Sequence, residues 1–332
     1  MPKKLIDLPK TLIDLPLDIT AAAVGQYLTD KDKSTLAVVS KTTQSLFQPA
    51  RLQKMANKLL LQVMHGEQEK AAKILKIHPE LLTMTGTATD YSGRTFETTA
   101  FRYALWALDT RYMCNMMLDC LSESVQGPDI TRGLLEQFNA QVQDGLDYKL
   151  NGTTIHEAHY DFSPIKAALQ TYANEYENWD EAHNSDAIIY QWSQVVGLAQ
   201  RYVPAHVAQH YCDPDEAFYP TPPFNKKTFK RSLEFYNFVT GAVDSWFEAV
   251  SPTSALGVDF GVCRGGGGGW DAGGSAMGMV FLGLVHVVQR DLAALTALCE
   301  VRTSDLVPLM QRLEGPIKKP DAAVPHGSST SA

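Results

Sequence analysis

Apolar residues recur at helical spacing along most of this chain, and short segments rich in glycine, proline and aspartate separate the stripes. Helices are predicted over about 52–65, 67–77, 129–145, 163–183, 186–202 and 205–211. The best strand candidate is the run 256–262. The apolar run 277–288 is shorter than the ~20 residues of a membrane span, so we predict a core helix there. The pattern therefore predicts a mainly α fold with at most a little strand.

The character of the chain changes near Gly127-Pro128, and the sequence after Gly315 has no apolar periodicity. We therefore predict a module over residues 1–50, helical hairpins over 51–126, an α-rich C-terminal domain over 127–315 and a disordered tail over 316–332. The tail is either a plain frayed end or a C-terminal secretion signal.

The first module contains a Leu-Pro pair followed by a short helical pattern, between Leu12 and Phe47. Apolar residues at helical spacing follow Asp30 and Asp32, which are candidates to cap that helix. So short a module cannot bury a secure core, so it either packs on the rest of the chain or presents an apolar face to a partner. The sequence Leu-Ile-Asp-Leu-Pro occurs at 5–9 and again at 12–16, and we take the second copy as the Leu-Pro pair.

This stretch resembles an F-box, a three-helix module that binds the Skp-type adaptor of cullin-RING ubiquitin ligases. The resemblance is carried by a set of matching positions: Leu15, Pro16, Asp18, Ile19, Val24, Tyr27, Leu28, Asp32, Leu36, Val39, Ser40, Lys41 and Leu46. It implies that the buried anchors of the interface would be Leu15, Pro16, Ile19, Val24, Leu28, Leu36 and Val39. The alternative is that these apolar residues belong to an ordinary core.

A second resemblance covers about 70 residues after the first module. Asp90, Gly93 and Thr95 lead into a helix with Ala100, Phe101 and Ala104, and this order is similar to a degenerate ankyrin repeat. Ankyrin repeats bind proteins through a concave surface. The pairing of the two modules resembles effector proteins that intracellular bacteria deliver through type IV secretion to use the host ubiquitin ligase, which implies a location in the host cytosol.

Charge and cysteine content limit the partners and the cellular compartment that we expect for this protein. The net charge is −8, and the lysine pairs are scattered, so neither nucleic acid nor an anionic membrane is an expected partner. The five cysteines form no CxxC pair, which is typical of a reducing cytosol. The amino-terminal residues are basic but meet Asp7 and Asp14 before any apolar run forms, so no Sec-type leader is expected.

The strongest candidate for chemistry is the sequence from His206 to Cys212. His206 and His210 project on one side of a helix, as zinc ligands do, and Cys212 could be a third ligand. The pair lacks the glutamate of the HExxH sequence, and histidine pairs on helices are also common as packing residues. The glycine run 265–269 could cradle phosphate, but no Gly-Lys-Ser or Gly-Lys-Thr sequence follows it, so we predict a flexible loop there. We therefore predict no cofactor.

These observations predict an adaptor that binds a Skp-type protein of a cullin-RING ligase and recruits an unidentified target protein. The alternative is an enzyme, dependent on a metal or a cysteine, in the C-terminal region, with the N-terminal half used for targeting. A third possibility is a binding protein outside the ubiquitin system.

Overall fold

The computed structural model describes residues 27–29, 31–32, 41–122, 124–237, 241–247, 255–266, 275–277 and 285–315, with the backbone alone at 41–47 and 275–277. Most of the F-box-like stretch lies outside the described residues. This holds for Leu15, Pro16, Ile19, Val24, Leu36 and Val39, and also for the tail 316–332. Leu28 is described and is half-buried.

The described helices follow the predicted stripes closely. They are α1 (Lys41–Met64), α2 (Gln68–Leu75), α3 (Ala100–Trp106), α4 (Asn115–Leu121), α5 (Gly127–Asp144), α6 (Ser163–Glu181), α7 (Ser185–Tyr190), α8 (Gly197–Arg201), α9 (Ala205–Tyr211), α10 (Val285–Ser304) and α11 (Leu306–Glu314). A 3₁₀ turn covers Pro79–Thr83, and π-helical turns cover Thr110–Cys114 and Gln191–Val196. None of the helices in the described part is long and apolar enough to cross a lipid bilayer.

Two four-stranded sheets accompany the helices in the part of the chain that the structure describes. The first is antiparallel, in the order β1 (Gly86–Thr89), β2 (Thr95–Thr98), β3 (Leu146–Leu150) and β4 (Thr153–Glu157). The second contains β5 (Glu234–Asn237), β6 (Ala242–Ser245), β7 (Gly261–Cys263) and β8 (Ser275–Met277), in the order β6-β5-β8-β7 with β5 and β8 parallel. Because β2 pairs with β3, one sheet contains strands from both sides of the predicted domain boundary between residues 126 and 127.

The prediction of a mainly α fold is therefore wrong, because the molecule is mixed α/β. The segment around Asp90 is a turn, as expected, but it joins two strands. Its backbone is held by Oδ1 of Asp90, which accepts from the amides of Ser92 and Arg94 at 2.9 and 3.0 Å, and Gly93 supplies a φ of 85°. Strands of three to five residues leave too few alternating positions to be recognised in a sequence.

The apolar run 277–288 also differs from the prediction, because Met277 lies in strand β8 and the helix begins at Val285. The strand expected over 256–262 is reduced to β7, which begins at Gly261. The apolar residues described in these two runs include buried ones, namely Leu256, Phe260, Val262, Val287 and Val288. A short apolar run, however, does not distinguish a strand from a helix.

Helix α1 covers one edge of the first sheet. The amide of Thr87 donates to Oδ1 of Asn57 at 3.0 Å, and Nε2 of Gln53 donates to the carbonyl oxygen of Thr85 at 2.8 Å. Gly86 permits the approach, since a Cβ there would lie 2.9 Å from the carbonyl oxygen of Ala56. The helix thus satisfies edge groups that would otherwise be open to another strand.

Candidate functional site

Helix α9 carries the predicted histidines into the interior. All seven of its residues are buried, and the exposed fractions of His206 and His210 are 2% and 0%. Pro204 precedes the first helical residue, where its missing amide hydrogen costs nothing. The predicted helix is confirmed, but it brings both histidines into a buried polar cluster and not to the surface.

His206 is bound to the backbone of the neighbouring segment. Its Nε2 lies 2.6 Å from the carbonyl oxygen of Ala107, and since a carbonyl only accepts, Nε2 carries the proton. Burial lowers the pKa of His206 to about 4. The ring is therefore neutral at pH 7, with its Nδ1 as an acceptor.

His210 lies between an arginine and a glutamate. Nη2 of Arg302 lies 3.2 Å from Nε2 of His210, and since a guanidinium only donates, that nitrogen is the acceptor and Nδ1 carries the proton. Nδ1 faces Oε2 of Glu216 at 3.3 Å. Phe229 stacks on the ring with centroids 4.5 Å apart, and burial places the pKa of His210 well below its usual value. The imidazole is thus neutral and lies between two charged groups.

Arg302 extends the cluster to α11. Its Nη1 donates to Oδ2 of Asp305 at 2.8 Å, and its guanidinium lies 5.0 Å above the ring of Tyr112. Arg111 holds the same carboxylate through two bonds, to Oδ2 at 3.0 Å and to Oδ1 at 2.7 Å. Asp305 is therefore shared by two arginines, one buried and one half-exposed.

A second buried ion pair joins Asp109 to Arg231. The two guanidinium nitrogens of Arg231 donate to the two carboxylate oxygens at 2.9 and 2.8 Å, and Arg231 also donates to Gln209 and Gln68. Burial alone would raise the pKa of Asp109, but Arg231 and the amide of Met113 outweigh it and lower that pKa to about 2. This carboxylate is ionised throughout the physiological range.

The backbone around the cluster is irregular. Leu108 and Phe224 have φ values of 60° and 47°, in the left-handed region that side chains with a Cβ rarely adopt. The π-helical turn Thr110–Cys114 begins directly after Asp109 and carries Arg111 and Tyr112 into the cluster. Buried charges, π turns and strained residues together are typical of functional sites, although structural ion-pair networks share the first of these features.

Cys212 follows α9 and does not join the two histidines in a ligand set. It is 1% exposed, its amide donates to the carbonyl oxygen of Ala208 at 3.0 Å, and burial raises the pKa of its thiol. Among the residues that the structure describes, no three histidine, cysteine or acidic side chains form a group that could hold a metal ion.

Sequence reasoning identified α9 but missed its partners. Arg302, Asp305, Glu216 and Asp109 are isolated charged residues in the sequence, up to about 200 positions apart, and no local motif links them. The one available signal was Arg302, a charged residue on a helix whose other core positions are mostly apolar.

The F-box-like stretch is described at one helix start. The amide and the hydroxyl of Thr29 donate to Oδ2 of Asp32 at 3.1 and 2.6 Å, and the amide of Asp32 donates to Oγ1 of Thr29 at 3.2 Å. These reciprocal bonds form a capping box, and the backbone at Lys31 and Asp32 is helical. Asp32 was predicted as a cap, and it contributes together with Thr29.

Comparison with known proteins gives the family. Residues 164–313 match the family described as the CBUA0006 C-terminal domain. The chain is 34% identical over 319 residues to the uncharacterized protein CBUA0006 of Coxiella burnetii (strain RSA 493 / Nine Mile phase I). The alignment covers 90% of this chain and 88% of the relative. No solved structure matches the chain. The protein is therefore a member of the CBUA0006 family.

Proposed function

We propose that this protein is an adaptor that binds a Skp-type protein of a cullin-RING ubiquitin ligase through residues 1–50 and recruits a target protein through its folded body. The observation that carries the proposal is the course of helix α1. It begins at Lys41, inside the stretch that resembles an F-box, and ends at Met64, in the hydrophobic core.

Two parts of α1 for which side chains are described have different surroundings. Residues 48–51 are exposed, whereas Leu59 and Leu60 are fully buried. At 1.5 Å per residue, the helix extends about 15 Å between Lys41 and Arg51. A partner bound before residue 48 would therefore be held by a helix whose other end lies in the core. A ligase adaptor needs such a connection in order to hold its target at a defined position.

The capping box between Thr29 and Asp32 supports the same proposal, because it starts a helix inside the F-box-like stretch. The relative comes from Coxiella burnetii, an intracellular pathogen, which agrees with a role of this family as secreted effectors in a host cell. The ankyrin-like segment contains the β1–β2 turn followed by α3, and we propose that this part of the body contributes to target binding.

The test is binding of the full-length chain to a recombinant Skp-type adaptor with its cullin scaffold, measured by calorimetry and co-purification. Leu15→Ala combined with Pro16→Ala is expected to weaken the Kd by roughly thirtyfold or more, since truncating interface anchors costs about 2 kcal/mol. The matched control is Leu8→Ala with Pro9→Ala, in the first copy of the repeat, which is expected to bind like the wild type. A wild-type chain that does not bind the adaptor contradicts the proposal.

An enzyme in the C-terminal region is the second candidate, and the cluster around α9 favours it because buried ionisable groups next to irregular backbone are frequent at catalytic sites. Its metal-dependent form has a direct test. We expect less than stoichiometric zinc in the purified protein, since Nε2 of His206 and Nε2 of His210 are both bound to protein groups. Mass spectrometry of the metal content checks this. Stoichiometric zinc that is lost in His206→Ala with His210→Ala would favour the enzyme.

A further inference from the structure

The segment 225–231 crosses the cluster without forming a helix or strand, and it places an ammonium group among buried oxygens. Nζ of Lys226 donates to the carbonyl oxygen of Asp215 at 2.8 Å. The same nitrogen lies 3.7 Å from Oδ2 of Asp213 and 3.7 Å from Oε1 of Glu216. Two carboxylates and one carbonyl therefore surround a single positive charge.

The two carboxylates belong to the interior, whereas the lysine does not. The exposed fractions of the Asp213 and Glu216 side chains are 1% and 5%, and that of Lys226 is 37%. Burial raises the pKa of both carboxyl groups, because a charged carboxylate is poorly solvated there. The carboxylates are thus built into the fold, and their counter-ion reaches them from the surface.

Lys226 does not satisfy these oxygens fully. Charge-assisted hydrogen bonds of an ammonium are about 2.7–2.9 Å long, and both of its carboxylate distances are longer. Oδ2 of Asp213 has no hydrogen-bond partner among the described residues, although it is buried. Oδ1 of Asp213 accepts from the amide of Asp215 at 3.0 Å, and Oε2 of Glu216 lies 3.3 Å from Nδ1 of His210. One oxygen of each group therefore remains directed at the position of the ammonium.

Carboxylate and carbonyl oxygens are the ligands that calcium, magnesium and manganese prefer, and such sites are completed by water. In the described part of the chain, two arginines nearby donate to other acceptors. Nη2 of Arg264 donates to the backbone oxygen of Asp213, and Arg302 donates to His210 and Asp305. A divalent ion at the ammonium position would thus be held by oxygens that the fold already directs there.

We propose that Asp213, Glu216 and the carbonyl oxygen of Asp215 form a cation site that has two alternative occupants, the ammonium of Lys226 and a divalent metal ion. The site is distinct from the histidine and cysteine set considered for zinc, and it does not depend on the adaptor function.

The test compares Lys226→Met with Lys227→Met in the full-length protein, titrated with CaCl2 and MnCl2 in a calorimeter. Lys227 is the adjacent exposed lysine, so the two variants lose the same charge. Lys226→Met is expected to bind one ion per chain at least about tenfold more tightly than the wild type, because removal of the ammonium leaves buried carboxylates without a counter-ion. Lys227→Met is expected to match the wild type.

Three further variants keep the proposal falsifiable. Lys226→Met with Asp213→Asn is expected to lose the added binding, and binding that persists there would place the ion elsewhere. Should Lys226→Met fold poorly, Lys226→Gln is assayed by thermal unfolding, where CaCl2 is expected to raise its Tm and to leave that of Lys227→Gln unchanged. Equal ion binding by the Lys226 and Lys227 variants overturns the proposal.

Discussion

Replacing Asp109 with alanine is expected to lower the free energy of unfolding by about 3–5 kcal/mol, since removal of one partner of a buried ion pair leaves the other charge uncompensated. The remaining charge is Arg231, whose side chain is 9% exposed. Its other described hydrogen bonds go to the neutral side chains of Gln68 and Gln209, and its guanidinium also lies over the rings of Phe229 and Tyr112. The variant also loses the bond from the amide of Met113, at 3.2 Å, which caps the π-helical turn. Urea unfolding at pH 7 measures the change.

The matched control is Asp129→Ala. Asp129 also pairs with an arginine, Arg132, at 3.3 Å, but the two side chains are 84% and 62% exposed. Exposed pairs contribute little, so this variant is expected to lose less than about 1 kcal/mol. Equal losses in the two variants would contradict the claim that burial makes the Asp109 pair stabilising.

The stability contributed by the Asp109–Arg231 pair is expected to fall at acidic pH. The pKa of Asp109 is about 2 in the folded protein and 3.8 in its usual state. A carboxyl whose folded pKa is lowered contributes stability above its unfolded pKa and loses it as the pH falls through the folded value. The difference in unfolding free energy between wild type and Asp109→Ala should therefore shrink as the pH falls from about 4 to about 2.

Gly197→Ala is expected to lower the free energy of unfolding by about 2–3 kcal/mol, as overpacking of a close contact does. A Cβ at Gly197 would collide with the carbonyl oxygen of Phe260 and would lie 2.9 Å from the amide nitrogen of Gly257. Both are backbone atoms, so neither can move aside as the end of a side chain could. We expect the added methyl group to push α8 away from the turn at 255–260. Urea unfolding measures the resulting loss in the free energy of unfolding.

Gly133→Ala is the control, because this glycine also lies within a helix, α5. A Cβ there would lie 3.4 Å from Cγ2 of Thr83, which is ordinary contact. Alanine favours a helix over glycine by up to about 1 kcal/mol, so this variant is expected to be as stable as the wild type or more stable. A loss in both variants would indicate that the contact at Gly197 is not the cause.

Several elements could be predicted from the sequence because their signals are local. The stripe over 163–183 became α6, and the proline before residue 205 marked the start of α9. The strands of the first sheet were missed, because β2 and β3 are separated by about 50 residues and contain five or fewer residues each. Pairing between such distant segments has no signature in one sequence.

At the candidate site, too, the sequence predicted the local feature and missed the distant partners. Helical spacing correctly placed His206 and His210 on one helix. It could not show that Arg302, from a segment 92 positions away, would bind His210, or that Glu216 would face its other nitrogen. The donor properties of those partners, and not the histidines themselves, determine which ring nitrogen carries the proton.

The sequence by itself therefore determined the positions of most helices, the resemblance of residues 12–47 to an F-box, and the presence of two histidines four residues apart on one helix. Only the tertiary structure decided that the described residues form two sheets and that Asp109, Asp305 and Glu216 are buried with arginine, histidine and lysine partners. It alone also placed the ammonium of Lys226 among the oxygens of Asp213, Asp215 and Glu216. The physical reason is that helix periodicity depends on neighbours within one turn, whereas strand pairing and charge burial depend on residues that only the fold brings together.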